Sequence, residues 1–99
     1  MFSPMPYVSI ACKGDRLYVH KPLRDEHELK QEEEIGQNVG YDLLRVFAVD
    51  REEDMWQIWH VVDRELRTEY PLLSTIDKLV QQLGGRIAYL RKEALMRSS

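Results

Sequence analysis

The side chains best suited to holding a metal ion are three histidines and one cysteine: His20, His27, His60 and Cys12. Structural zinc sites use pairs of ligands a few residues apart, often with several cysteines. No two of these histidines show such a spacing, and the chain has no second cysteine. The glycines also lack the spacing of a phosphate-binding loop. The sequence therefore predicts neither a metal site nor a bound cofactor.

Nucleophilic catalysis would have to use one of four hydroxyl or thiol side chains: Ser9, Cys12, Ser74 or Thr75. Such a nucleophile needs a neighbouring base that a third group orients, and no motif in the chain supplies this arrangement. Cys12 is expected to be a small buried hydrophobe, because it alternates in register with Val8. We therefore expect no catalytic activity. The one enzymatic alternative is a crevice around His20, Arg45 and His60.

Length and composition indicate one soluble domain over residues 1–99. The chain is 43% hydrophobic and 31% charged, with a net charge of -3. No apolar run exceeds four residues, whereas a membrane span needs about 20. The first six residues contain two prolines and no basic start, so an extended lead-in is expected there and not a secretory signal. A single cysteine cannot form an internal disulfide, which favours the reducing cytoplasm.

Charge is distributed unevenly along the chain. Residues 25–34 hold six carboxylates and one lysine, whereas residues 86–97 hold four cations and one glutamate. Such blocks mostly face water, but they also suit an oppositely charged partner. The isoelectric point of about 5.6 argues against binding to duplex DNA. The candidate docking charges are Glu32, Glu33 and Glu34 in the acidic block, and Arg91 and Lys92 in a basic tail over residues 91–99.

Two alternating runs, residues 7–12 and 16–20, flank a short link that contains Gly14 and predict a β-hairpin over residues 7–20. One face of this hairpin carries four candidate contact residues: Tyr7, Arg16, Tyr18 and His20. Aromatic rings beside arginine are typical of protein interfaces and of surfaces that stack single-stranded bases. The alternative is that the acidic segment or a helix covers this face and makes both tyrosines core residues.

The middle of the chain begins with residues 21–40, which predict a polar acidic loop or a marginal helix. Only Leu23, Leu29, Ile35 and Val39 are there to bury, and a helix over residues 25–34 would have little apolar edge besides Leu29. Residues 41–49 are rich in branched and aromatic side chains and predict a strand. Regular alternation places Leu44 with Val46 and Ala48 on one face of that strand. The other face then carries Arg45, flanked by Leu43 and Phe47.

Residues 50–70 support two interpretations. A helix would align an apolar stripe made of Met55, Ile58, Trp59, Val62 and Leu66. A strand over residues 56–62 would also use Trp56 and Val61, and would complete an antiparallel meander over residues 41–62. We favour the strand. In that case Trp56 and Trp59 point to opposite faces, so at most one of them is a core residue and the other is an exposed anchor or part of a dimer contact.

An amphipathic helix is predicted over residues 74–84, with Ser74 as N-cap and the pair Gly84 and Gly85 as its stop. Its apolar face consists of Ile76, Leu79, Val80 and Leu83. Residues 86–90 are compatible with a short further strand. The expected fold is therefore α+β, with an antiparallel sheet of four or five strands packed by one helix.

These features favour a non-catalytic cytoplasmic interaction module, such as a small regulator, inhibitor or assembly factor. Its partner would be another protein that contacts the acidic segment and the aromatic and arginine face. A second copy of the chain is a further candidate partner, because strand edges readily pair. The alternative is a binder of single-stranded RNA or DNA that uses the hairpin aromatics and the basic tail.

Overall fold

The computed structural model of the chain describes residues 6–92, which form four strands and three helices. In chain order these are β1 (Tyr7–Lys13), β2 (Arg16–Val19), α1 (Glu26–Asn38), β3 (Asp42–Ala48), α2 (Glu52–Leu66), α3 (Leu73–Gln82) and β4 (Arg86–Leu90). All strand pairs are antiparallel, in the order β2-β1-β3-β4. The α+β fold, the first hairpin and the strand at residues 86–90 are as predicted. Most of the predicted lead-in and basic tail falls outside the described residues.

The prediction of a strand over residues 56–62 was wrong, because this segment belongs to helix α2. The helix buries Met55, Ile58 and Val62, which belong to the apolar stripe of the helical interpretation. Three carboxylates in its first turn favour a helix N-terminus. Both edges of β3 are already paired, with β1 and β4, so the segment that follows β3 has no free neighbour there.

Residues 26–38 form a full helix, α1, although they offer few apolar contacts. Its N-terminus is well capped: the Asp25 carboxylate accepts a hydrogen bond from the Glu28 amide at 2.9 Å. The Glu28 carboxylate in turn accepts one from the Arg24 amide at 2.7 Å. Only Gly36 is fully buried within the helix. These two hydrogen bonds stabilise the start of a helix that buries little apolar surface.

The sheet carries a different layer on each face. On one face, α2 and α3 enclose the larger apolar core, which contains Val8, Ile10, Leu44, Phe47, Ile58, Ile76 and Val80 among others. On the other face a smaller cluster of Tyr7, Leu23, Val46 and Ala48 packs with Leu29 of α1. No helix within residues 6–92 combines the length and apolarity needed to cross a membrane.

A β-bulge in β3 changes the faces expected for this strand. Ile10 pairs with Arg45 while Ala11 pairs with Leu43, so Leu44 is an extra residue. Leu44 and Arg45 both lie on the α3 side, and regular alternation resumes beyond them. The expected grouping of Leu44 with Val46 and Ala48 was therefore wrong.

Helix α3 confirms the predicted amphipathic helix but begins one residue earlier than expected. Its N-cap is Leu72 and makes no side-chain bond, so the expected capping role of Ser74 was wrong. Gly84 has a φ of 90° and ends the helix in the left-handed region. Gly85 serves a different purpose, since a Cβ there would lie 2.6 Å from Cγ1 of Val80. It allows the chain to pass close to the core on its way into β4.

A buried ion pair joins β3 to α3. The Arg45 guanidinium donates from Nε to both carboxylate oxygens of Asp77 at 3.2 Å. Its Nη1 donates to the carbonyl oxygens of Leu44 and Arg91, at 3.1 and 2.9 Å. The Arg45 side chain is only 6% exposed and that of Asp77 only 17%. The pair therefore ties a strand, a helix and the end of β4 to one point.

Replacing Asp77 with alanine is expected to lower the free energy of unfolding by about 3 kcal/mol, because it removes a carboxylate that pairs with a nearly buried guanidinium. Urea denaturation measures the change. The control is Asp63→Ala, which breaks the exposed pair of Asp63 with Arg67 and is expected to lose less than about 1 kcal/mol. Equal losses in the two variants would contradict a special role for the buried pair.

Candidate interaction surface

The hairpin face expected to be an aromatic platform is covered by α1. Tyr7 is buried, at 5% exposure, and Tyr18 is half-buried with its ring edge-on to Tyr41 at 5.1 Å between centroids. Of the four predicted contact residues on this face, only Arg16 is exposed, and His20 is half-buried. The prediction of an open tyrosine platform was therefore wrong, because Leu29 and its helix pack over it.

A small cavity lies between α1 and the sheet. Its lining includes Ser9, His20, Glu32 and Glu33, and its volume of about 10 Å³ suits a single water molecule. The His20 Nδ1 lies 4.0 Å from a carboxylate oxygen of Glu32. The Ser9 hydroxyl is buried and forms no hydrogen bond within the described part of the chain. These residue types resemble a hydrolytic triad, but the serine is only 1% exposed and the cavity has no room for a substrate.

The outward surface of α1 combines carboxylates with two bare apolar side chains. Glu33 and Glu34 are exposed, while Glu32 is half-buried beside His20. Ile35, in the last turns of the helix, and Val39, its C-cap residue, are 56% and 52% exposed. Sequence reasoning missed this pair. The available signal was two branched apolar residues on a helix whose sheet-facing side is marked by Leu29 and Gly36.

The two tryptophans lie side by side on α2, which corrects the prediction of opposite faces. They stand three residues apart on the helix, and their rings meet edge to face at 6.1 Å. Trp59 is half-buried and donates from Nε1 to the His20 carbonyl oxygen at 2.6 Å. Trp56 is 46% exposed. Trp59 therefore anchors α2 to the end of β2, and Trp56 is the one available for contact.

Two shallow grooves lie beside the start of α2, with volumes of about 310 and 220 Å³, and Trp56 lines the smaller one. They share Arg24, Glu52 and Met55, and the first two of these form an exposed ion pair at 4.0 Å. Because the walls carry both signs of charge, the grooves show no preference for an anionic or a cationic ligand.

The basic end of the described chain is partly neutralised by its own carboxylates. Arg91 lies 3.2 Å from Asp42, and Arg86 lies 2.9 Å from Asp50. Lys92 is exposed. These cations sit at the two ends of β4 and are not gathered into one patch.

The crevice expected around His20, Arg45 and His60 is absent. Arg45 faces α3, whereas His20 faces α1, so the sheet separates the two side chains. His60 is exposed on α2. Within residues 6–92, no three His, Cys, Asp or Glu side chains converge as metal ligands.

The ionisable protons of the Tyr7 hydroxyl and the Cys12 thiol are expected to make the free energy of unfolding fall at alkaline pH. Burial, and secondarily the charge of Glu26, raises the pKa of Tyr7 above its ordinary 10.0. Burial, and secondarily the charge of Asp42, raises the pKa of Cys12 above 9.0. The unfolded chain loses these protons first as pH rises. The contribution of these two groups to the free energy of unfolding is therefore fully present below about pH 9 and decreases above it.

Urea titrations between pH 8 and pH 11, spanning the ordinary range of both groups at about 8.5 to 10, measure this slope. Tyr7→Phe keeps the buried ring and is expected to make the alkaline decline shallower. The matched control is Tyr70→Phe, since Tyr70 is 73% exposed, and it should leave the decline unchanged. A decline that is the same in both variants would show that Tyr7 does not contribute.

Comparisons with known proteins give no match: no family model, no curated protein and no solved structure is significantly similar to this chain. Any function therefore has to be inferred from the chain's own residues. The feature that stands out among them is the acidic outer surface of α1 with its exposed Ile35 and Val39.

Proposed function

We propose that this chain is a non-catalytic protein-interaction module that docks onto a basic surface of another protein through the outward face of α1. The observation that carries the proposal is that two apolar side chains are exposed, Ile35 in α1 and Val39 at its C-cap, on a helix that also exposes the carboxylates of Glu33 and Glu34. A cytoplasmic regulator, inhibitor or assembly factor would have this character.

The two kinds of side chain would act differently in docking. Burial of apolar surface contributes about 25 cal/mol for each Å² removed from water, so Ile35 and Val39 would supply contact energy. Carboxylates such as Glu33 and Glu34 would mainly speed association and select a basic partner.

Binding to single-stranded nucleic acid receives less support. Of the two tyrosines that would stack on bases, Tyr7 is buried and Tyr18 is half-buried against Tyr41. Two of the described cations, Arg86 and Arg91, lie at opposite ends of β4 and do not form a continuous basic groove. Proteins that bind single strands combine such a groove with exposed rings on which bases stack.

The test compares proteins captured by in-cell cross-linking and quantified by mass spectrometry. Glu33→Lys/Glu34→Lys and, separately, Ile35→Ser/Val39→Ser are expected to reduce recovery of the partner about tenfold, a loss of about 1.4 kcal/mol. Binding of the charge variant to the partner should also be less sensitive to salt, because salt screens the charge attraction that this variant has already lost.

The matched control is Glu53→Lys/Glu69→Lys, which changes the net charge equally at exposed sites away from α1. It should leave recovery of the partner unchanged, and thermal melting should show that all three variants are folded. Unchanged recovery with both α1 variants, or an equal loss with the control, would refute docking through α1.

A further inference from the structure

The two edge strands of the sheet, β2 and β4, differ in how far other described residues cover them. At one edge, β2 packs beneath α2, and the Trp59 ring bonds to the backbone at its end. At the other edge, β4 is the most exposed strand of the sheet. Tyr89 is 42% exposed and Leu90 is 59% exposed. An open apolar edge strand is a ready template for another strand.

Backbone geometry identifies the free donor and acceptor on this edge. Leu90 lies opposite Arg45, and the amide of the next residue, Arg91, donates to the Leu44 carbonyl oxygen at 2.9 Å. This pattern defines a pair that exchanges no hydrogen bonds of its own, so the N–H and C=O of Leu90 point away from β3. Within residues 6–92, no strand lies beyond β4 to meet them.

The charges around β4 select the kind of segment that suits it. Arg86 begins the strand, while Arg91 and Lys92 follow its last residue. The two arginines contact Asp50 and Asp42, but each guanidinium carries five N–H donors and retains some for a second carboxylate. An incoming strand with acidic residues near both of its ends would meet a cation at each.

A second copy of β4 fits this edge less well. Antiparallel self-pairing would bring Arg86 of one copy towards Arg91 and Lys92 of the other. Like charges opposed across a strand pair are destabilising.

We propose that the β4 edge binds an extended, acidic segment of a partner protein, which joins the sheet as a fifth strand through the Leu90 backbone. Main-chain hydrogen bonds supply part of the affinity, and side chains on the two faces of the added strand cover Tyr89 on one face of the sheet and Leu90 on the other. This site is separate from the outward face of α1 and takes a partner segment of opposite charge.

The test begins with selection of random ten-residue peptides on the immobilised protein, followed by fluorescence anisotropy with the selected peptides. We expect an excess of Asp and Glu flanking branched residues. Leu90→Pro removes the outward donor together with the leucine side chain, at a position where edge strands tolerate proline, and should weaken binding about tenfold. Leu90→Thr keeps that donor and should weaken binding less. Lys92→Glu also weakens binding and serves if the proline variant fails to melt cooperatively.

Each of four results would overturn the proposal. The first is that the selected peptides lack acidic residues. The second is that they bind the Leu90→Pro and Lys92→Glu variants as tightly as they bind the original chain. The third is that the Leu90 amide exchanges slowly with solvent in the free protein, which would mean that another part of the same chain occupies the edge. If this protection rises with protein concentration, the occupant is a second copy of the chain. The fourth is that a single-stranded oligothymidine displaces the peptides. Because none of these changes touches α1, failure here leaves docking through α1 to be judged separately.

Discussion

The contact between Arg45 and Asp77 is the constraint on which the arrangement of the sheet and its helices depends. A guanidinium that is nearly excluded from water requires partners, and here it finds a carboxylate on α3 and two backbone carbonyl groups. The bulge at Leu44 turns this side chain towards the helix layer. The same group accordingly sets the position of α3 and the point at which the chain leaves β4.

The two faces of the sheet are stabilised by different means, and this difference bears on function. The face under α2 and α3 is closed by large apolar side chains such as Phe47 and Ile58. The face under α1 is lined in part by polar groups, including Ser9 and Glu32, and the helix depends on its Asp25 cap. Few apolar residues of α1 are used for packing, so Ile35 and Val39 remain on the surface.

The two main errors in the sequence interpretation concern the segment after β3 and the faces of β3, and each has its own physical cause. The segment that contains Trp56 has both strand propensity and a helical stripe, and such conflicts are decided by which neighbours are free. The edges of β3 are filled by β1 and β4, so the segment becomes a helix on the face of the sheet. The faces of β3 were misassigned because one extra residue, Leu44, reverses the alternation from Arg45 onward.

Local patterns in the sequence by themselves determined the first hairpin with its turn at Gly14, the amphipathic α3, the end of that helix at Gly84 and the two blocks of charge. Each depends on residues close together in the chain, where periodicity and turn chemistry are sufficient. Only the tertiary structure decided that α1 covers Tyr7 and that Leu90 lies exposed on a strand with no further strand beyond it within residues 6–92. Those outcomes depend on which surfaces are already occupied when distant segments meet, and no local pattern records that competition.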